Sequence, residues 1–281
     1  MRLFALTSLT MIAFAANSLL NRAALAGDAS DPLSFALIRV ASGAVMLVGL
    51  VSMHQGFSIR RPDLWGVIAL TVYLLGFSYA YLEMDAGLGA LILFGGVQVT
   101  MFAGAVYGGE TLPAMRWIGA VLALSGLALL LWPSEGISLS LVSFFLMSVA
   151  AVGWGVYSLI GRGATDPLGA TAWNFIYSLP LVAMVWVSSS SEVVLSLEGV
   201  ALAIFSGAIT SGLGYALWYS ILPRLGATIG ALAQLSVPVI AIAMGVVLLG
   251  ETLTMHMVVS ALLVLGGIAV GMVKIEINLN S

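Results

Sequence analysis

Ten times along the chain, an apolar stretch of about twenty residues ends at a polar or turn-forming break. This recurrence limits the possible folds more than any motif does. The stretches cover 3–22, 32–53, 64–83, 86–108, 113–132, 138–160, 167–189, 198–222, 226–250 and 254–273. A helix rises about 1.5 Å per residue, so ~20 residues cross the ~30 Å hydrocarbon core of a bilayer. The breaks are helix-stopping sequences such as "GDASDP", "HQGFSIRRPD", "GRGATDP", "SSSSE" and "LPRLG". The reading is an all-α polytopic membrane protein with ten transmembrane helices.

Charge supports it. Only 7% of the 281 residues are charged, against about 25% in ordinary soluble domains. Lipid, not water, must therefore bathe most of the surface. The net charge of −3 offers no basis for nucleic-acid binding, which needs clustered Lys and Arg. The absence of cysteine excludes disulfides and thiolate chemistry. No long hydrophilic stretch is present to form an appended soluble domain.

The distribution of cations sets a direction. With the N-terminus in the cytoplasm, Arg2, Arg60, Arg61, Arg116, Arg162, Arg224 and Lys274 fall inside and only Arg22 falls outside. Both termini are expected inside.

The chain also repeats itself. "SLLNR" at Ser18–Arg22 matches "SLIGR" at Ser158–Arg162, and "DPLSFALIR" at Asp31–Arg39 matches "DPLGATAWN" at Asp166–Asn174. "LGA" recurs at Leu88–Ala90 and Leu225–Ala227, and "GETL" follows at Gly109–Leu112 and Gly250–Leu253. The order is the same on both sides, which divides the chain into residues 1–135 and 136–281. Five helices per half is an odd number, so the second half enters from the opposite face. Inverted repeats clasp a central site in many secondary transporters. The N-terminal "MRLFALTSLTMIAFAANSLLNRAALA" has the look of a cleaved secretory signal, but its partner in the sixth span argues against removal.

These features resemble the drug/metabolite transporter superfamily, EamA type. The most typical stretch is "LGATIGALAQLSVPVIAIAMGVVLLGETLT", with Pro238 and the closing Gly250-Glu251. The resemblance covers essentially the whole chain. It implies a ten-helix basket around a central cavity, alternating access without nucleotide hydrolysis, and a bacterial inner-membrane location. The aromatic loading is similar to that of the aromatic amino acid exporters of this superfamily. The alternative is a multidrug exporter of organic cations. The small multidrug pumps of the superfamily carry a coupling Glu in their first helix, where this chain has "AFAANSL". Proton antiport by that route is therefore not expected.

Polar groups within a bilayer usually face the bundle interior or a wet cavity. Candidate substrate contacts are Asn17, Tyr81, Gln98, Trp154, Tyr157, Ser211, Tyr215, Trp218 and Gln234. Ser211, Tyr215 and Trp218 share one helical face, as do Tyr73, Phe77 and Tyr81. Tyr73, Tyr219 and Trp65 are expected in the interfacial aromatic belt. Arg39 either snorkels to the interface, meets a partner helix or holds a substrate carboxylate. Gly95, Gly96, Gly230 and Pro238 are candidate hinge positions; each glycine alternatively serves close helix packing.

An intramembrane enzyme is disfavoured. A zinc protease needs His-Glu-x-x-His, whereas His54 and His256 are isolated near span ends. No cofactor or metal is expected; the partners are a small molecule and the bilayer, with no nucleic acid, and the sequence leaves the oligomeric state open, a monomer being compatible with it. The two GETL glutamates fall on opposite membrane faces in this topology, so they form no catalytic pair. Thr111 and Thr252 are expected to cap the fifth and tenth spans, with Glu110 and Glu251 near those positive helix ends.

Overall fold

Lipid offers backbone N–H and C=O groups no partners, so apolar runs satisfy them within helices. In the computed structural model, described over residues 2–55, 61–109, 112–130, 132, 140–161, 164–190 and 192–272, ten apolar helices are present. Six of them, 21 to 26 residues long, are long enough to cross a bilayer, and the other four have 14 to 17 residues. The first half holds α1 (Arg2–Ala26), α2 (Pro32–Gln55), α3 (Leu64–Ala80), α4 (Ala86–Tyr107) and α5 (Ala114–Leu130). The second holds α6 (Leu141–Gly161), α7 (Pro167–Ser188), one continuous helix made of α8 (Leu197–Phe205), a π-helical segment (Ser206–Leu213) and α9 (Gly214–Gln234), then α10 (Ser236–Leu249) and α11 (Met255–Gly271).

Local chemistry sets the helix ends. Asp63, Asp166 and Ser196 accept the N–H of Gly66, Gly169 and Gly199 at 3.2, 3.0 and 3.0 Å, capping α3, α7 and α8. α4 and α10 both terminate on the glycine of GETL: Gly109 has φ 75° and Gly250 φ 67°. This left-handed backbone is accessible to glycine without a Cβ clash.

Two expectations at these ends need correction. Thr254, not Thr252, caps α11, accepting the Met257 N–H at 3.2 Å. "LPRLG" does not interrupt the backbone, because α9 remains helical through it to Gln234. The interruption comes at Leu235 instead. Pro238 has no N–H for the carbonyl four residues earlier, that of Gln234, so the helix stops there. Glu110, Thr111, Arg60, Arg162 and Lys274 lie outside the described residues, as do the surroundings of Gly230.

α5 packs along α11, α2 along α7 and α4 against α10. α3 and α4 both lean on α6, while α8, the π-helical segment, α9 and α10 lean on α1. Small residues permit the closest approaches. A Cβ on Gly153 of α6 would lie 2.8 Å from the Ala69 carbonyl and 3.0 Å from the Tyr73 nitrogen of α3. That intimacy brings Tyr73 beside Trp154.

One end of the bundle is tied by polar contacts. Arg22 donates to the Tyr81 and Leu82 carbonyls at 3.2 and 3.0 Å and pairs with Asp85 at 3.4 Å. Asp31 accepts the Val194 N–H at 3.1 Å, and Ser143 donates to Glu83 at 3.2 Å. Glu251 accepts the N–H of Ala86 at 2.6 Å and of Gly87 at 3.4 Å. It therefore serves the N-terminus of α4, not of α11 as the sequence implied. The C-terminal end of α10 brings it there, and the positive end of α4 holds it.

Candidate functional site

The site forms where α1, α3, α4, α6, the π-helical segment and α9 converge. Aromatic rings dominate it. Trp154 of α6 lies between Tyr157, at 5.5 Å and 27°, and Tyr215, at 5.0 Å and 29°, stacking on both. Tyr73 approaches the same indole at 5.0 Å, and Phe14 meets Tyr215 edge-on at 5.9 Å. Phe77 continues the α3 face to Tyr81, edge-on at 4.8 Å. Stacked and edge-to-face rings gain about 0.5–1.5 kcal/mol per pair beyond simple burial. The enclosed space between these rings admits about one water molecule.

Polar groups are few among the lining of this space: Asn17, Ser18 and Thr210. Asn17 is buried, and its Oδ1 accepts the hydroxyls of Ser206 at 2.7 Å and Thr210 at 3.0 Å. Both hydroxyls come from the π-helical segment. Such segments shift hydrogen bonding from i→i+4 to i→i+5 and often mark functional sites. Gly207 and Gly212 make close packing there possible: a Cβ on Gly207 would collide with the Arg39 carbonyl and the Ser42 hydroxyl.

Arg39 is fully buried at 0% exposure. It does not snorkel. Its Nε donates to Ser211 Oγ at 3.3 Å and its Nη2 to Tyr73 Oη at 3.0 Å. The guanidinium carbon stands 5.3 and 5.1 Å from the ring centroids of Tyr73 and Phe77.

Of the sequence candidates, Asn17, Trp154 and Tyr215 line the enclosed space directly. Tyr157 sits one ring behind, buried, with its hydroxyl donating to Thr171 Oγ1 at 3.2 Å. Ser211 supports Arg39, Trp218 packs edge-on against Phe14 at 6.0 Å, and Tyr81 donates to the Ala86 carbonyl at 3.4 Å. Gln98 and Gln234 are half-buried and line no part of this space. Gly95 and Gly96 lie inside uninterrupted α4, facing Val264 and Ala151 respectively. Pro238 is buried in the first turn of α10.

Tyr73 was expected at the interface, but it is 4% exposed and lines the site with Phe14, Phe77 and Thr210. The signal for it was the i, i+4, i+8 aromatic stripe of Tyr73, Phe77 and Tyr81. Trp65, by contrast, is 73% exposed, consistent with a lipid-facing or interfacial ring. Among the described residues, no three His, Asp or Glu side chains gather to hold a metal ion.

Residues 141–272 match the model of the EamA-like transporter family. An uncharacterized protein of Pseudomonas aeruginosa is 46% identical over 95% of this chain and 93% of its own length. The chain belongs to the EamA-like transporter family. The transporter is also 26% identical to proteins named "probable amino-acid metabolite efflux pump" from Salmonella typhimurium and Escherichia coli. Each alignment covers 84% of this chain and 89% of the relative. A solved crystal structure shares its fold with a TM-score of 0.65 at 21% identity, over 94% of this chain and 98% of that one. The chain is thus a polytopic membrane protein of a transporter family, not an enzyme. The residues that match the family model supply Trp154, Tyr157, Thr210 and Tyr215 of the site.

Proposed function

We propose that the transporter exports amino acids with aromatic or apolar side chains, and related small metabolites, across the bacterial inner membrane. The observation that carries this reading is the stacked row Tyr157–Trp154–Tyr215, flanked by Tyr73 and Phe14. Such a surface takes a flat or branched apolar side chain, while the few polar groups orient the head. The names of the two efflux-pump relatives support export of amino-acid metabolites.

Transport proceeds by alternating access of two inverted halves, residues 1–135 and 136–281, with both termini in the cytoplasm. The packing supports this division. Exchanging the halves turns the α3–α6 and α4–α6 contacts into contacts of α8 and α10 with α1, and both sets exist. The α2–α7, α4–α10 and α5–α11 contacts map onto themselves. In this topology the end tied by Arg22, Asp85 and Glu251 faces outward, and its polar ties hold the exit closed. Opening the exit breaks those ties while the aromatic site remains between the halves.

The test is export from everted membrane vesicles carrying the transporter. Labelled phenylalanine and tryptophan accumulate in vesicles with the wild-type protein above vesicles without it. Equal accumulation in both overturns the reading.

A further inference from the structure

Arg39 presents an electrostatic imbalance. It is 0% exposed, and an arginine does not shed its proton at any pH a protein meets. Burying one ion costs several kcal/mol unless an opposite charge lies beside it. No such charge is present: among the described residues the one ion pair is Arg22–Asp85, at the end of the bundle. The partners of Arg39 are all neutral, namely the Ser211 and Tyr73 hydroxyls and the faces of the Tyr73 and Phe77 rings. Among the described residues, Nη1 has no hydrogen-bond partner. A charge this costly, with donors left over, is suited to an anion that comes and goes.

The position fits. Tyr73 and Phe77 line the enclosed space, and the guanidinium, which does not line it, stands 5.3 and 5.1 Å from their ring centroids. Two adjacent N–H groups of a guanidinium match the two oxygens of a carboxylate in a bidentate fork. At present the Tyr73 hydroxyl occupies one tine, 3.0 Å from Nη2, and the Nη1 tine is unclaimed.

We propose that Arg39 is the anchor for the substrate's carboxylate, with the Tyr73 hydroxyl as a placeholder that yields its tine when the carboxylate arrives. This deepens the amino-acid reading above and rests on it for the identity of the side chain. The apolar side chain lies along Trp154 and Tyr215 while the carboxylate reaches the fork. The same charge rejects organic cations. Their affinity for aromatic faces is offset by repulsion from a guanidinium in a low-dielectric site. The anchor therefore selects against the multidrug reading of the same fold.

The experiment measures competition against labelled phenylalanine transport in proteoliposomes, and heat stability in detergent, with three probes sharing one ring. Phenylalanine and 3-phenylpropionate carry a carboxylate; phenylalaninamide does not. Wild-type protein binds the two carboxylates about 10-fold or more tighter than the amide, the worth of a charged hydrogen bond. An amide as good as the acid overturns the anchor while leaving amino-acid transport standing. Arg39→Gln closes the gap between acid and amide, and Arg39→Lys, which keeps the charge but not the fork, leaves part of it. An undiminished gap in Arg39→Gln also overturns the anchor. If phenylalanine is not transported, yet 3-phenylpropionate raises the melting temperature of wild type and not of Arg39→Gln, the anchor stands and the amino-acid reading falls. The wild-type comparison needs no variant to fold.

Discussion

Glu251, from the second GETL copy, accepts the backbone N–H of Ala86 at 2.6 Å across the two halves of the chain. A carboxylate at the N-terminus of α4 satisfies orphan donors and meets the positive end of the helix dipole. The contact is thus both a helix cap and a tie between the halves.

Removing the acceptor weakens that tie. Glu251→Ala is expected to cost about 0.5–2 kcal/mol of stability, the usual range for a lost N-cap. Thermal unfolding in detergent measures it. Glu251→Gln keeps an oxygen for the Ala86 N–H without a buried charge, and is expected to be at least as stable as wild type; a loss equal to that of Glu251→Ala would show that charge, not the hydrogen bond, matters.

The same carboxyl makes the tie sensitive to pH. Burial pushes its pKa above the ordinary carboxylate range, and the N–H groups of Ala86 and Gly87 offset this only in part. A raised value means the tied state holds its proton more tightly than the released one. Its contribution is full below the ordinary range and is lost as pH rises through the raised value. Melting temperatures of wild type and Glu251→Gln should converge in acid, with wild type falling behind as pH rises towards neutral. A gap independent of pH would contradict this.

Trp154 is the centre of the aromatic row, and its loss should show in transport. Trp154→Ala is expected to lower phenylalanine transport about 10-fold or more, with Trp154→Phe losing less, as ring stacking is partly kept. Membrane insertion of both variants is checked by their yield in the membrane fraction. Gln234→Ala, which alters a residue outside the enclosed space, should cost less than Trp154→Ala; the reverse order would move the site towards α10.

Pro238 stops the helix at Leu235 by leaving the Gln234 carbonyl without its N–H partner. Pro238→Ala restores that donor and lets α9 and α10 join. If the break serves movement, the variant is more stable to heat and slower in transport. Unchanged transport with higher stability would make the break a matter of packing alone.

The first-order architecture was legible because span length, break chemistry and lipid solvation all point the same way. So was the aromatic character of the site: Trp154 and Tyr215 stand where their helices were expected to face inward. What could not be read was pairing between distant residues. Arg39 and Ser211 are 172 positions apart, and only the packing of α2 on the π-helical segment brings them together. The π-helical segment itself leaves no periodic mark, since its Ser, Thr and Gly residues also suit an α-helix packed closely. The GETL motif was read correctly as a boundary, yet its parts act separately. Its glycines end α4 and α10 through positive φ, and Glu251 serves a helix more than 160 residues before it in the chain.

The proposed transport of amino acids runs through the Trp154–Tyr215 site, whose lining holds no protonatable carboxylate. Initial rates of labelled phenylalanine uptake by proteoliposomes, with and without an imposed proton gradient and beside a cationic dye, test it most directly. Saturable phenylalanine uptake, no dye uptake, and the same rate with or without the gradient are expected. Dye uptake driven by the gradient, with phenylalanine at the level of protein-free liposomes, would contradict it.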